Sequence, residues 1–251
     1  MQTAVCVLFE YITDDDKEAQ KNFSGGIEMY SQECTMGSQQ VKRVFHGIKR
    51  KLHCPKPEEA RGEKGPDFYD QVFLENEDLR VHYTASSYYF IWTVIVDRIR
   101  RARRKAVLEV GCGTGQLAHA IYDAGMIQSY CGLDFSKTRI EQARRHCPAY
   151  RFEAVDVFQT RLFEDYHYDV AIATEFLEHI EHDLDVIRFI RPRTYFVGTV
   201  PNFPYVSHVR HFQDCDEVTR RYAPFFTDFK VDAFRAKGHE KIFFLLEGIK
   251  I

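Results

Sequence analysis

The sequence predicts an α/β fold, a largely parallel sheet with helices on both faces, and three observations carry that prediction. From about residue 106 onward, short apolar runs alternate with amphipathic stretches, and strands that alternate with helices require parallel pairing through crossovers. The first run ends in a glycine turn, Gly111-Cys112-Gly113-Thr114-Gly115, directly before a helical pattern. Acidic residues, Asp134 and Asp156, follow the next two runs, on the edge where such sheets bind ligands.

Each element has its own warrant. Tyr88, Trp92, Ile95, Val96 and Ile99 recur at helical spacing and predict a helix over 83–99. It ends in Arg100, Arg101, Arg103, Arg104 and Lys105, cations suited to a helix C-terminus. A strand at 106–110 stops at Gly111, and a helix over 116–124 closes at Gly125. A strand at 130–133 leads to Ser136, which caps a helix running to His146 before Pro148. Strands follow at 151–155, 169–173 and 194–200, with a helix over 175–190 between the last two. Asp214 and Glu217 form a capping box for one more helix. The runs at 230–234 and 242–249, around Lys237-Gly238, read as an antiparallel pair.

The composition shifts near residue 66, which divides an N-terminal extension, 1–66, from a main domain, 67–251. Asp14-Asp15-Asp16, Gly25-Gly26 and Cys54-Pro55-Lys56-Pro57 break up the apolar pattern of the extension. Within it, Val41, Val44, Phe45, Ile48 and Leu52 share a face, with Lys42, Arg43, Lys49 and Arg50 on the remaining surface. This amphipathic basic helix is expected to cap the main domain, with a membrane or RNA contact as the sharper alternative. Hydrophobic residues at 45% and charged residues at 28% give a core that needs no disulfide framework. A net charge of −3 excludes a chain that binds polyanions through overall charge. Seven cysteines are scattered without a C-x-x-C pair, which points to a reducing, cytoplasmic setting. The apolar run from Ala4 to Phe9 is too short to span a bilayer, so no membrane partner is expected. The sequence carries no signal of oligomeric state.

The glycine turn selects the ligand. Gly111-x-Gly113-x-Gly115 is one residue shorter than the dinucleotide pattern, and no Lys-Ser/Thr follows it. The neighbouring charges are carboxylates, Glu109, Asp134 and Asp156, which repel a pyrophosphate. They attract a sulfonium, an ammonium group and ribose hydroxyls, the features of S-adenosyl-L-methionine. Over 83–251 the sequence resembles the class I S-adenosylmethionine-dependent methyltransferases. The resemblance implies a Rossmann-like seven-stranded sheet, to which the residue patterns add a C-terminal antiparallel hairpin and an N-terminal helical cap. It also implies that Gly111, Gly113 and Gly115 line the methionine portion, with Glu109 supporting the loop. Asp134 would accept from the ribose, and Asp156 from the adenine amino group. Phe135 and Val157 would flank the ring, with Glu175 at the cofactor's edge.

The second cluster is Glu175-Phe176-Leu177-Glu178-His179, whose carboxylates and imidazole project from one arc if the segment is helical. Charges so close require a positive partner, and a divalent cation would serve. Downstream, past Pro201-Asn202, lie His208 and His211. This arrangement is similar to that of the ubiquinone-pathway O-methyltransferases and of the small-RNA terminal-ribose methyltransferases. The similarity implies Mg or Mn held by Glu175, Glu178, His179 and His208, with His211 as an alternative fourth ligand. In the metal-free alternative Glu175 touches only the cofactor and His179 acts as general base. The candidate catalytic groups are His179, Glu178 and His208, since a hydroxyl acceptor must lose its proton to a base or to a metal. The expected reaction is O-methylation of a small hydroxylated molecule. Methylation of RNA ribose or base, and cofactor binding without catalysis, are the alternatives. Tyr83, Tyr88, Tyr89, Trp92, Phe203 and Tyr205 either close over a flat acceptor or belong to the core.

Overall fold

The topological reversal that creates a binding crevice lies between the first and fourth strands. In the computed structural model, β1 (Ala106–Val110), β2 (Ser129–Asp134), β3 (Arg151–Ala154), β4 (Val170–Thr174) and β5 (Tyr195–Pro201) run parallel. β6 (Phe226–Arg235) and β7 (Ile242–Lys250) complete one sheet in the order β3-β2-β1-β4-β5-β7-β6. β7 is antiparallel to both β5 and β6, as the expected C-terminal pair requires. The structure describes residues 61–235 and 241–251, all within one unit, Cys54–Ile251. The amphipathic basic helix around Val41–Leu52 and the Lys237-Gly238 turn lie outside the described residues.

Seven helices accompany the strands among the described residues: α1 (Pro66–Glu75), α2 (Tyr89–Ala102), α3 (Gln116–Asp123), α4 (Lys137–His146), α5 (Leu162–Asp165), α6 (Asp183–Phe189) and α7 (Cys215–Tyr222). β1 is buried along its whole length, and its period of two sends Val107 to one core and Leu108 and Val110 to the other. The first core is lined by Ile95 and Ile99 of α2, Ile121 of α3 and Ile140 of α4. The second is built on Phe196, Tyr222 and Leu246. No helix among the described residues is long and apolar enough to cross a membrane.

Caps fall where the sequence places them. Ser136 Oγ accepts from Arg139 N at 3.1 Å, and Asp214 Oδ1 accepts from Glu217 N at 2.8 Å. The arginine run ends α2, with Arg100 and Arg101 paired to Asp97 and Arg103 in the left-handed C-cap position.

Two predicted helices are interrupted. The stretch 83–99 is a single 3-10 turn, Tyr83–Ala85, followed by α2. Asp78 separates them, accepting from the Ser87 amide at 2.9 Å and from the Ser86 and Ser87 hydroxyls. The stretch 175–190 is a 3-10 turn, Leu177–His179, and then the short α6. Glu175 sits at φ 47, in the left-handed region, and its amide donates to Thr199 Oγ1 at 3.0 Å instead of entering a helix. Asp183, at the start of α6, is fully buried and gripped by Arg221, Arg210 and Tyr222.

Candidate active site

The glycine turn is stitched to the end of β2. Leu133 O accepts from the amides of Gly111 and Cys112 at 2.8 and 3.0 Å, and Asp134 Oδ2 accepts from Gly113 N at 3.0 Å. All three glycines have positive φ, between 53 and 76°. Two of them are also sterically obligatory. A Cβ on Gly111 would lie 2.4 Å from Phe176 Cδ2, and one on Gly115 would lie 2.9 Å from the Ala143 Cβ. A Cβ on Gly113 would meet nothing within 4 Å, so this backbone is left bare toward open space.

That space is a pair of adjoining cavities. The larger, about 580 Å³, is bounded by Glu109, Gly113, Glu175, His179 and His208. Tyr88, Trp92, Phe203 and Tyr205 also line it, whereas Tyr83 and Tyr89 do not. The smaller, about 330 Å³, brings together Asp134, Phe135, Asp156 and Val157. Gly111, Glu175, His179, Tyr69 and Arg139 border both. The carboxylates beside them differ in what already engages them. Glu109 is buried in β1 and accepts from the Tyr130 hydroxyl, and burial pushes its carboxyl up to about 7. Burial also raises Asp134, whose Oδ1 accepts from Ser136 N at 2.9 Å; the Arg139 charge opposes that rise. Asp156 caps its own turn, accepting from Phe158 N at 2.9 Å and Gln159 Nε2 at 2.8 Å.

On the far side of the crevice, the 3-10 turn after β4 directs Glu178 inward. Its side chain is fully buried, and neither carboxylate oxygen has a hydrogen-bond partner. His179 Nε2 stands 3.7 Å from Glu178 Oε1, and the His179 and His208 rings meet edge to face at 4.7 Å. His179 Nδ1 lies 3.1 Å from the Ser207 carbonyl, and His208 Nδ1 lies 3.0 Å from the Phe203 carbonyl. A carbonyl only accepts, so both protons are assigned to Nδ1 and each Nε2 keeps a free lone pair. Burial holds His179 down at about 3 and His208 at about 4, and each ring also feels a neighbouring imidazole. Glu178 is pushed in the opposite direction by burial and by Glu175. Glu175 itself is raised by burial to about 8, while Thr199 Oγ1 donates to its Oε1 at 3.0 Å.

Glu178, His179 and His208 each offer a ligand atom within 4.8 Å of the others. Buried polar groups are almost always hydrogen-bonded, so an orphaned carboxylate facing two open imidazole nitrogens fits a divalent cation. Each imidazole also has the carbonyl partner that orients a metal-bound histidine. Glu175 stands beside this set, and neither it nor His211 belongs to it.

Two residues had no motif to mark them. Tyr69 reaches from α1 to an edge-to-face contact with His179 at 5.8 Å and stands 5.4 Å from the Phe135 ring. The Arg139 guanidinium lies 4.8 Å over the Tyr69 ring, and its buried Nε has no partner. Both sit between the cavities, yet they come from helix faces remote in sequence from the glycine turn.

The decisive comparison is with protein families. Residues 108–194, from β1 through α6, match the family described as a methyltransferase domain. Residues 108–194 therefore carry a methyltransferase domain. Two curated relatives, both ubiquinone biosynthesis O-methyltransferases, align with part of this chain. The protein from Nitrosospira multiformis is 29% identical over 99 residues, covering 37% of this chain and 40% of the relative. The one from Vibrio campbellii is 37% identical over 90 residues, covering 34% and 37%. The matched region thus spans less than half the length of either relative. In fold, the methyltransferase domain is similar to the N-methyltransferase NodS from Bradyrhizobium japonicum, solved with S-adenosylhomocysteine. That likeness has a TM-score of 0.58 at 15% identity, over 73% of this chain and 97% of NodS. At that identity the likeness is one of fold.

Proposed function

We propose that the protein transfers a methyl group from S-adenosylmethionine to a hydroxyl of a small acceptor, with a divalent cation held by Glu178, His179 and His208. The observation that carries this reading is the buried, partnerless Glu178 carboxylate beside His179 and His208, the two imidazoles that line the larger cavity. The names of the curated relatives support a hydroxyl acceptor. When bound, the cofactor supplies a carbon activated by its sulfonium, and the cation lowers the pKa of the acceptor hydroxyl.

The chain's own residues supply placement. The bare backbone at Gly113 admits the methionine end, and Asp134 stands in the smaller cavity to accept from the ribose. Glu109, two residues before the turn, ties β1 to β2 by accepting from the Tyr130 hydroxyl. Tyr88, Trp92, Phe203 and Tyr205 suit a flat acceptor, and alignment of acceptor and donor is the main demand of an in-line displacement. Glu175 is positioned by Thr199, and its raised carboxyl can exchange a proton near neutral pH.

Methyl transfer from labelled cofactor to catechol-type acceptors should fall to background with a chelator and return with Mg or Mn. Full activity in metal-free, chelated enzyme would overturn the cation assignment. Asp134→Ala should weaken cofactor affinity by more than about 1 kcal/mol, because charge-assisted hydrogen bonds to the ribose are lost. Calorimetry with S-adenosylhomocysteine measures this, and unchanged affinity would remove Asp134 from the site.

A further inference from the structure

A second group of metal-ligating side chains lies away from both cavities, where the segment preceding α2 crosses α3. His82 caps the Tyr83–Ala85 turn, and His119 and Asp123 stand one turn apart on α3. The His82 and His119 rings meet at 4.8 Å, and His119 Nε2 is 3.8 Å from Asp123 Oδ1. One ligand atom from each of the three residues lies within 4.8 Å of the others.

Proximity alone would mean little on a surface, but the ligand atoms are also oriented by outer partners. The Tyr83 hydroxyl donates to Asp123 Oδ2 at 2.7 Å, which engages that oxygen and leaves Oδ1 toward His119. Thr84 engages His82 Nδ1, its amide donating to that nitrogen at 3.4 Å and its Oγ1 lying 2.8 Å away, so Nε2 is the nitrogen a metal would take, with the ring proton moving to Nδ1 and Thr84 Oγ1 able to accept it. A carboxylate and an imidazole each held from behind are the usual supports of a metal ligand. Two imidazoles and one carboxylate select zinc-like ions over magnesium or calcium, which prefer all-oxygen shells.

We propose that His82, His119 and Asp123 form a surface site for a divalent transition metal of the zinc class, with water as the fourth ligand. Tetrahedral N and O ligands at about 2.0–2.1 Å stand roughly 3.4 Å apart, so the three side chains close by about an ångström on binding. All three are at least partly exposed, and rotamer changes accommodate that closure. The site would fasten two pieces that bear on catalysis. The segment before α2 lines the larger cavity through Asp78, Ser87 and Tyr88, and α3 begins at the glycine turn. Gln116 already links them, donating from Nε2 to the Asp78 and Val81 carbonyls at 2.8 Å each. This site does not depend on the proposed reaction or on the buried Glu178 cluster.

The test is a Zn²⁺ titration of the full chain followed by calorimetry, with thermal melting as a second readout. His82→Ala and His119→Ala should each weaken one Zn²⁺ equivalent by at least about tenfold and reduce the melting shift that Zn²⁺ produces. Tyr83→Phe should weaken the same equivalent to a smaller degree. Co²⁺ at this site should show tetrahedral d–d bands without the thiolate charge-transfer band that cysteine ligation would add. Titrations of both histidine variants that superimpose on the unmodified protein would overturn the proposal. So would Zn²⁺ binding lost only on Glu178→Gln, or a cobalt spectrum dominated by thiolate.

Discussion

Glu178→Ala is expected to abolish cation uptake and lower kcat/KM by more than about a hundredfold, beyond the range seen when only an outer partner of a metal ligand is lost. Cofactor affinity should stay within about twofold, because Glu178 borders neither the glycine turn nor the Asp134 end of the crevice in this structure. Elemental analysis of the purified variant, together with steady-state kinetics, separates the two effects. Retained metal at unchanged stoichiometry would place the ion elsewhere. Glu178→Gln sharpens the test, since it keeps the shape and removes the charge. Glu178 is fully buried with both oxygens unpartnered, so the neutral amide should leave the metal-free fold at least as stable as before. A large loss of activity without a loss of stability would then identify the carboxylate as functional.

Asp183→Ala should instead act on the fold, with a loss of about 3–5 kcal/mol, the range for breaking one side of a buried ion pair. Asp183 Oδ2 accepts from Arg221 Nε at 2.8 Å and from the Tyr222 hydroxyl at 2.7 Å. Asp183 Oδ1 accepts from Arg221 Nη2 at 2.6 Å and lies 3.5 Å from Arg210 Nη2. Arg210 in turn donates to the Leu177 carbonyl at 2.5 Å and to the carbonyls of Ile180 and Glu181. The aspartate therefore anchors α6, α7 and the turn that carries Glu178 and His179. Urea unfolding of the variant measures the loss, and a midpoint equal to that of the unaltered protein would refute the anchoring role.

What could be read in advance from the chain follows the range of the forces involved. β1, the glycine turn and α3 are specified by neighbours in sequence, as are the Ser136 and Asp214 caps, and their boundaries fall within a residue or two of expectation. The break at Glu175 could not be read this way, because it is imposed by Thr199 on β5, 24 residues downstream. Without that hydroxyl the pattern of Ile180, Leu184 and Ile187 is that of an uninterrupted helix. Asp156 illustrates a third case. Its place after β3 was evident from the sequence, but the engagement of both oxygens by Phe158 and Gln159 depends on how the turn closes. Glu178, His179 and His208 converge even though the arc invoked for the first two does not exist; the 3-10 turn delivers them.

The missing side chain at Gly111 has a mechanical meaning. Phe176 occupies the place where a Cβ would stand, and it is bonded directly to Glu175 and lies two residues before Glu178. The loop that cradles one reactant and the turn that presents the carboxylates therefore mesh like the teeth of two gears. A shift in either is felt at the other through one aromatic ring, with no need for a hinge between domains.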